Sequence, residues 1–363
     1  MIQIRRFGDC GLARNLRSMC CRVTELISIA TARNSPQADH QSEGTTHMIS
    51  LRRMIAALGL AALGFALLGA QPVVAQEKVV RIGFQKYGKL VLLKSKGTLE
   101  GTLKPLGYKV EWKEFPAGPQ LLEALNVGAI DFGNTGEAPP IFAQAAGAPL
   151  VYVAHEPPAP EGEAILVPKN SPIQSVADLK GKKVALNKGS NVHYLLVKAL
   201  ERAGIKYSDI EPVFLAPADA RAAFERGSVQ AWVIWDPFQA AAEAATGART
   251  LADGKGIVAN HQFYFGRRDF VETNAKALDA LLAELSEVDA WAKRDIKAVA
   301  EQLSPSVGLP VSVLEVALKR QSYGIKPIDG AVIKEQQSIA DTFFELGLLP
   351  KKITISDAVR AGS

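Results

Sequence analysis

The chain has 363 residues, three cysteines and a formal net charge of +5 at pH 7. The first 75 residues hold eight of the 42 basic side chains and four of the 37 acidic ones, so residues 76–363 carry a net charge of about +1. A nearly neutral chain without a basic stripe is not expected to bind nucleic acid. Cys10, Cys20 and Cys21 all lie in the first part, which predicts no disulfide, thiolate metal site or cysteine nucleophile in the remainder.

A secretory signal is predicted over residues 48–75. Residues 52–53 are both arginine, the run Ile55–Leu68 is apolar and uncharged, and a small-residue cleavage site ends at Ala75. The mature chain is therefore expected to begin at Gln76.

A transmembrane anchor is the alternative for this segment. The apolar run is shorter than the roughly 20 residues of a spanning helix, and residues 71–72 interrupt it, which favours cleavage.

Residues 1–47 are polar and rich in arginine. We interpret them as a mis-assigned upstream start, with a disordered or targeting extension as the alternative.

Strands and helices alternate from Val79 onward. An apolar strand over Val79–Phe84 ends in a polar loop with Gln85, and Leu90–Leu99 is predicted as a helix. Lys109–Phe115 alternates as a second strand, and a helix follows over Gln120–Asn126. This alternation is typical of a parallel sheet covered by helices.

The stretch Glu123–Pro140 is predicted as a helix end, a short strand, a polar loop and the start of a new helix. Gly128 supplies the positive φ that ends a helix, Ile130–Phe132 alternates as a short strand, and a helix begins near two prolines. Between strand and helix stand the small or polar residues Asn134, Thr135, Gly136 and Glu137. Such a junction is suited to anion binding through free N–H groups and the helix dipole, although an ordinary capped loop has the same pattern.

A second junction of this kind follows the predicted strand Lys183–Asn187. Gly189, Ser190 and Asn191 form the loop, and Val192–Ala203 is predicted as a helix with Ser190 or Asn191 as its N-cap. The alternative is again a simple cap.

Two tryptophans mark the end of a further predicted strand. Trp232 and Trp235 are three residues apart, so they are expected on opposite faces, with one in the core and Trp235 on a cleft wall. Asp236 is either a ligand neighbour or a cap residue before Pro237. The later segments Lys276–Glu301, Val311–Arg320 and Ile333–Leu346 are predicted as core-packing helices.

Several long segments resemble aliphatic sulfonate-binding proteins of ABC importers, from about Val79 to Ile355. The segments are Phe84-Gln85-Lys86, EFPAGPQLLEALNVGAIDFGNTGEAPPIFAQAAGAPLVYV, EAILVPKNSPIQSVADLKGKKVALNKGSNVHYLL, PADARAAFERGSVQAWVIWDPF and LLPKKITI.

The resemblance implies an α/β fold of the type II periplasmic binding protein class. Two α/β lobes joined by two hinge crossings would face each other across a ligand cleft. Lobe 1 is expected over residues 76–165 plus 264–363, and lobe 2 over residues 166–263. The two anion-type junctions would then lie on opposite sides of the cleft.

The implied function is an extracytoplasmic receptor that binds alkanesulfonates and delivers them to an ABC permease in the inner membrane for sulfur acquisition. We expect a periplasmic monomer with no cofactor, metal or catalytic role. The expected ligand-binding residues are Gln85, Asn134, Thr135, Gly136, Gly189, Ser190, Asn191, Trp235 and Asp236. A sulfonate has three acceptor oxygens, which the donors at these positions would satisfy.

Alternatives remain open at this point. The ligand is alternatively taurine, nitrate or another small anion, and the sequence does not decide whether Glu137 and Arg221 face the cleft. A hydrolase on the same fold is disfavoured because residues 76–363 lack cysteine. His155, His193 and His261 lack the spacing of a helical metal pair.

Overall fold

The computed structural model describes residues 77–360, so the predicted extension, secretion signal and start at Gln76 lie outside the described residues. A first sheet contains five strands: β1 Lys78–Phe84, β2 Tyr108–Glu114, β3 Phe132–Gly136, β4 Leu150–His155 and, later in the chain, β10 Gln262–Arg267. Their spatial order is β2-β1-β3-β10-β4.

A second sheet contains the five strands between these. They are β5 Glu163–Val167, β6 Lys183–Leu186, β7 Glu211–Phe214, β8 Ala231–Trp235 and β9 Arg249–Asp253, in the spatial order β7-β6-β8-β5-β9. Each sheet has its own apolar core, so the described chain forms two α/β lobes, as expected.

Helices cover both sheets. The first lobe's sheet is followed or covered by α1 Lys89–Lys96, α2 Leu99–Leu103, α3 Gly118–Asn126 and α4 Ala138–Ala145. The second sheet carries α5 Asn191–Arg202, α6 Pro217–Glu225 and α7 Phe238–Thr246. After β10 come α8 Arg268–Thr273, α9 Ala275–Arg294, α10 Ile296–Val307, α11 Val311–Lys319 and α12 Gly330–Glu345.

The chain crosses between the sheets twice, from β4 to β5 and from β9 to β10. All of β5 lies in the second sheet and all of β10 in the first. The expected lobe boundaries, after residues 165 and 263, therefore fall inside these two strands. A further contact joins the lobes where Val313 and Ala317 of α11 pack against Ala240 and Ala241 of α7.

The sheets are mixed rather than wholly parallel, which corrects the expectation from the alternating pattern. β10 runs antiparallel to β3 and β4, and β5 runs antiparallel to β8 and β9. Each of these strands follows a crossing and enters its sheet from the opposite end.

The position of the third strand was also predicted incorrectly. It spans Phe132–Gly136 instead of Ile130–Phe132, so the residues assigned to a polar loop are part of the sheet. Gly133 permits this, because a Cβ there would lie 2.8 Å from a methyl group of Leu121 in α3. Partner strands on both sides stabilise a segment whose own residues are poor strand formers.

The helical region predicted over Lys276–Glu301 is two helices, α9 and α10, because the chain breaks at Asp295. The Asp295 side chain accepts a hydrogen bond from the N–H of Ala298 and so caps α10. The predicted core face is confirmed: Leu278, Leu281 and Leu285 are fully buried. Among residues 77–360, we find no helix with the length and apolarity that crossing a membrane requires.

Candidate ligand site between the lobes

The site lies at the carboxyl ends of parallel strands from both lobes, where open α/β sheets usually bind ligands. β1 leads to Gln85 and Tyr87, β3 ends at Gly136, and β8 ends at Trp235. An inner cavity between the lobes is lined by Gln85, Tyr87, Gly118, Gly136, Pro139, Gly162, Ser190, Asn191, Trp235, Asn260 and Gln262.

The inner cavity is small because the lobes are closed on each other. Its volume is about 20 Å³. A single water molecule needs roughly 10–15 Å³ by this measure, so the closed cavity holds about one water.

Glycines allow the walls to approach closely. A Cβ on Gly136 would lie 2.9 Å from the Cβ of Asn191 across the interface between the lobes. A Cβ on Gly118 would lie 2.8 Å from side-chain atoms of Thr135 and Pro139. A larger residue at position 136 would hold the lobes apart, whereas one at position 118 would clash within the first lobe.

The two helices that start at the cavity offer different sets of N–H donors. The first turn of α4 contains Pro139 and Pro140, which have no N–H, so this helix contributes mainly its dipole and the N–H groups before the prolines. Ser190 is the N-cap of α5, with an extended backbone, and its hydroxyl donates to the carbonyl of Asn187 at 2.7 Å. The N–H of His193 donates to the carbonyl of Ser190 at 3.0 Å, and helix geometry leaves the N–H groups of Asn191 and Val192 without intrahelical acceptors.

The side chain of Asn191 is held by two acceptors. Its Nδ2 donates to Oε2 of Glu163 and to Oδ1 of Asn260, the latter at 3.1 Å. Both amide hydrogens are therefore engaged, and a ligand beside Asn191 would use backbone N–H groups of α5.

Two buried carboxyl groups lie behind the cavity wall. Glu137 and Glu163 are both fully buried, and each has one carboxyl oxygen without a partner among the described residues. Burial raises the pKa of Glu137 to about 8. Burial also raises the pKa of Glu163 well above its usual value, and the nearby charge of Glu137 adds to the shift. Glu137 is therefore mainly protonated at pH 7, and the direction of both shifts favours the uncharged carboxyl group behind the site.

Five of the expected site residues line the inner cavity: Gln85, Gly136, Ser190, Asn191 and Trp235. Their role in ligand binding stays a prediction. The other four lie nearby but outside this lining: Asn134, Thr135, Gly189 and Asp236.

Asn134 and Thr135 are buried in β3. The Thr135 hydroxyl donates to the carbonyl of Gly136, and the carbonyl of Asn134 accepts from Nε2 of Gln85. Both residues thus support cavity residues from behind. Gly189 instead faces a larger groove outside the inner cavity.

Asp236 is fully buried and points to an ion pair rather than into the cavity. Its Oδ1 accepts from the N–H of Ala240 at 3.0 Å and lies 3.5 Å from the guanidinium of Arg320. Burial raises the pKa of Asp236 to about 6, although Arg320 acts in the opposite direction. Arg320 also pairs with Glu243 at 2.7 Å, so it links the end of α11 to α7.

The two tryptophans divide as expected. Trp232 is fully buried and packs on Phe224, with ring centres 5.9 Å apart. Trp235 lines the inner cavity and packs edge-on against Phe238, with ring centres 6.3 Å apart. The alternation along β8 therefore puts one ring in the core and the other on the cavity wall.

The structure shows where Glu137 and Arg221 point, which the sequence did not decide. Glu137 points away from the cavity, where its Oε2 accepts from the N–H of His261 at 3.1 Å. Arg221 is on the surface of α6 and pairs with Glu225 at 2.7 Å.

The histidines are distributed as structural residues. His193 is buried, with Nε2 2.9 Å from the Tyr207 hydroxyl, and burial lowers its pKa to about 4. His155 and His261 pack against each other at the crossings, with ring centres 5.3 Å apart. Residues 77–360 contain no group of three or more His, Cys, Asp or Glu side chains that would hold a metal ion.

Sequence reasoning missed Tyr87, Asn260 and Gln262 as cavity residues. Asn260 has a φ of 54°, a left-handed conformation that asparagine tolerates better than most residues. The polar run Asn260-His261-Gln262, which leads into the buried strand β10, was the available signal. Its meaning depends on the crossing between lobes, which the sequence does not show.

The chain is similar in sequence and structure to proteins that are named for sulfonate binding. The family model described as "NMT1/THI5 like" matches residues 104–294. A relative from Escherichia coli (strain K12), named as an aliphatic sulfonates-binding protein, is 47% identical over 309 residues, covering 85% of this chain and 96% of the relative.

Two solved structures are similar over most of the chain. The alkanesulfonate-binding protein SsuA from Xanthomonas axonopodis pv. citri, bound to MOPS, has a TM-score of 0.75 and 42% identity, and the match covers 79% of this chain and 99% of that one. The periplasmic aliphatic sulphonate binding protein SsuA from Escherichia coli has a TM-score of 0.72 and 48% identity, with coverage of 79% and 93%.

Proposed function

Because the chain belongs to the family of aliphatic sulfonate-binding proteins, we propose that it binds a sulfonate in the inner cavity between its lobes. The relatives confirm the predicted family and the two-lobed α/β fold, and their names describe binding proteins.

The observation that carries this proposal is the charge balance of the inner cavity. Every lining residue is uncharged, and the side-chain N–H or O–H groups not fully engaged by Asn187, Glu163 and Asn260 are those of Gln85, Tyr87, Trp235, Asn260 and Gln262. The start of α5 adds free N–H groups and the positive end of a helix dipole. A permanent monoanion with three acceptor oxygens is well matched to several donors and needs no full counter-charge.

Ligand entry requires the lobes to separate. The cavity of about 20 Å³ has room for one water, so the lobes would close less far around a bound sulfonate group, which is larger. The two crossings would act as hinges between a first lobe with the sheet β2-β1-β3-β10-β4 and a second lobe with the sheet β7-β6-β8-β5-β9, and closure around the ligand would bring Gly136 toward Asn191.

In the cell, the protein would act in the periplasm as a monomer. The predicted signal at residues 48–75 would export it, and the liganded, closed form would deliver the sulfonate to an ABC permease at the inner membrane. The periplasmic protein from Escherichia coli supports the compartment.

Calorimetry tests the proposal. The secreted chain is unfolded and refolded to remove bound ligand, and methanesulfonate, ethanesulfonate, taurine, sulfate and nitrate are titrated separately. We expect the sulfonates to bind and sulfate and nitrate to bind at least tenfold more weakly. A folded sample that binds nitrate or sulfate more tightly than any sulfonate would contradict the proposal.

A further inference from the structure

Glu163 lies at the surface where the two lobes meet. It begins β5, directly after the first crossing, and its side chain is fully buried. Its neighbour Gly162 faces the first lobe, since a Cβ there would lie 3.2 Å from the hydroxyl oxygen of Tyr87. Its Oε2 accepts from Asn191, whose side chain packs against Gly136 of the first lobe. Residues of the first lobe therefore close against both neighbours of this carboxyl group.

A second carboxyl group approaches from the first lobe. Glu137 follows Gly136, is fully buried, and accepts at its Oε2 from the N–H of His261 at 3.1 Å. Among the described residues, the charges that act on the two groups belong to other carboxylates: Glu335 acts on Glu137, and Glu137 acts on Glu163. Closure therefore brings together two acidic side chains from opposite lobes, where like charges repel each other.

The second oxygen of Glu163 offers a position for a proton. This atom, Oε1, is buried and has no hydrogen-bond partner among residues 77–360. A carboxylate ion in this position would lose its hydration, and a bound proton removes that cost. Burial, and after it the charge of Glu137, accordingly raises the pKa of Glu163 well above its usual value.

Separation of the lobes would reverse these conditions. It would move Gly136 away from Asn191 and Tyr87 away from Gly162, and water would reach the Glu163 carboxyl group, which then ionises.

We propose that Glu163 is a proton-binding site at the contact between the lobes, and that it takes up one proton from solvent when the lobes close on a sulfonate. The carboxylate becomes a carboxylic acid, while the sulfonate keeps its charge. This inference rests on the proposed function.

Other titratable groups face the same contact between the lobes. They are Tyr87, Tyr194, Asp236, His261 and Glu335, together with Glu156, which pairs with Lys89 at 2.9 Å. Glu163→Gln leaves all of them in place. The difference between this variant and the unmodified protein therefore isolates the proton on Glu163.

Sulfonate binding should depend on pH with a defined sign. The closed form holds a proton that the open form has released. Affinity therefore falls as pH rises between the pKa values of Glu163 in the open and closed forms, and it levels off above the second value. One linked proton changes affinity by up to about tenfold per pH unit, so we expect the Kd for ethanesulfonate to rise at least tenfold from pH 6 to pH 8.

Calorimetry at pH 7 in phosphate, imidazole and Tris buffers, none of which is a sulfonate, counts the protons. These buffers differ in their heat of ionisation, so the change of the observed heat with buffer gives the number of protons taken up. We expect about one proton per ethanesulfonate for the refolded, ligand-free chain. Glu163→Gln retains an oxygen acceptor for Asn191 and should lose most of this uptake. The matched control is Glu345→Gln at an exposed position, which should keep it.

Infrared difference spectra of the unmodified protein test the same step without a substitution. Addition of ethanesulfonate should increase the C=O band of a protonated carboxyl group and decrease a carboxylate band. Absence of this change in a protein that binds ethanesulfonate would overturn the inference, whether or not Glu163→Gln folds.

The remaining outcomes separate this inference from the proposed function. Sulfonate binding without proton uptake, or with equal uptake in a folded Glu163→Gln protein, would overturn the inference and leave the proposed function intact. An affinity that responds to replacement of sodium by choline rather than to pH would assign a metal cation in place of the proton and would also overturn it. Absence of binding by every sulfonate would contradict the proposed function itself.

Discussion

Gly136 of the first lobe lies against Asn191 of the second, and a Cβ on Gly136 would approach the Cβ of Asn191 to 2.9 Å. Closure of the lobes therefore depends on the missing side chain at position 136. The Asn191 side chain cannot turn away freely, because its amide is bonded to Glu163 and Asn260.

We expect Gly136→Ala to weaken sulfonate binding at least tenfold, because the added methyl group prevents full closure. Calorimetry with the best-binding alkanesulfonate measures this change. Gly101→Ala is the control, since a Cβ at this helical glycine meets nothing within 4 Å. Equal affinities of the two variants would show that the contact of Gly136 with Asn191 is not part of the bound state.

Ser190→Glu should abolish binding, with a loss of more than a hundredfold. The substitution places a negative charge at the start of α5, where the proposed sulfonate lies, and the two anions repel each other. The neutral control Ser190→Gln has nearly the same size and should bind more tightly than the glutamate variant. Unchanged affinity of Ser190→Glu in a titration would exclude this helix start as the anion site.

The raised pKa of Glu137 predicts that the stability of the folded protein depends on pH. The pKa of this buried group is raised from 4.5 to about 8, so between these values the folded protein holds a proton that the unfolded chain has released. The free energy of unfolding therefore falls as pH rises through this range. Above about pH 8 the buried Glu137 carboxyl group is ionised in the folded protein as well, and the loss of stability is complete. The neighbouring groups are Glu163, which shares the burial, Glu335, Tyr194 and the backbone N–H groups at Asn260 and His261.

Glu137→Gln removes this titration. At pH 8 it should raise the free energy of unfolding by up to about 4 kcal/mol, at about 1.36 kcal/mol per pKa unit, and at pH 4.5 it should have little effect. Urea unfolding at the two pH values measures the difference. The exposed control Glu345→Gln should show no such pH-dependent gain, and a gain that is equal at both pH values would contradict the titration of Glu137.

Tryptophan fluorescence distinguishes the two rings on β8. Trp235 lines the inner cavity, whereas Trp232 lies in the core, so a bound sulfonate should change the emission of Trp235. We expect Trp235→Phe to lose the ligand-induced change and Trp232→Phe to retain it while unfolding at a lower urea concentration. Loss of the change in Trp232→Phe alone would contradict the position of the site.

The sequence predicts the alternation of strands and helices, the positive φ at Gly128 and the start of a helix at Ser190. These features depend on residues close together in sequence: Gly128 has the expected positive φ of 70°, and Ser190 is the N-cap of α5. The division of Trp232 and Trp235 between core and cavity likewise follows from the two-residue repeat of a strand.

The composition of the inner cavity required the folded chain, because its residues meet over long sequence distances. Asn191 contacts Glu163 and Asn260, which lie 28 and 69 residues away, and Glu137 is bonded to His261 across 124 residues. Asn134 and Thr135 resemble loop residues locally, yet they belong to a strand because β10 pairs with them. The raised pKa values of Glu137 and Glu163 also arise only on folding, since burial removes the water that stabilises the charged carboxylate.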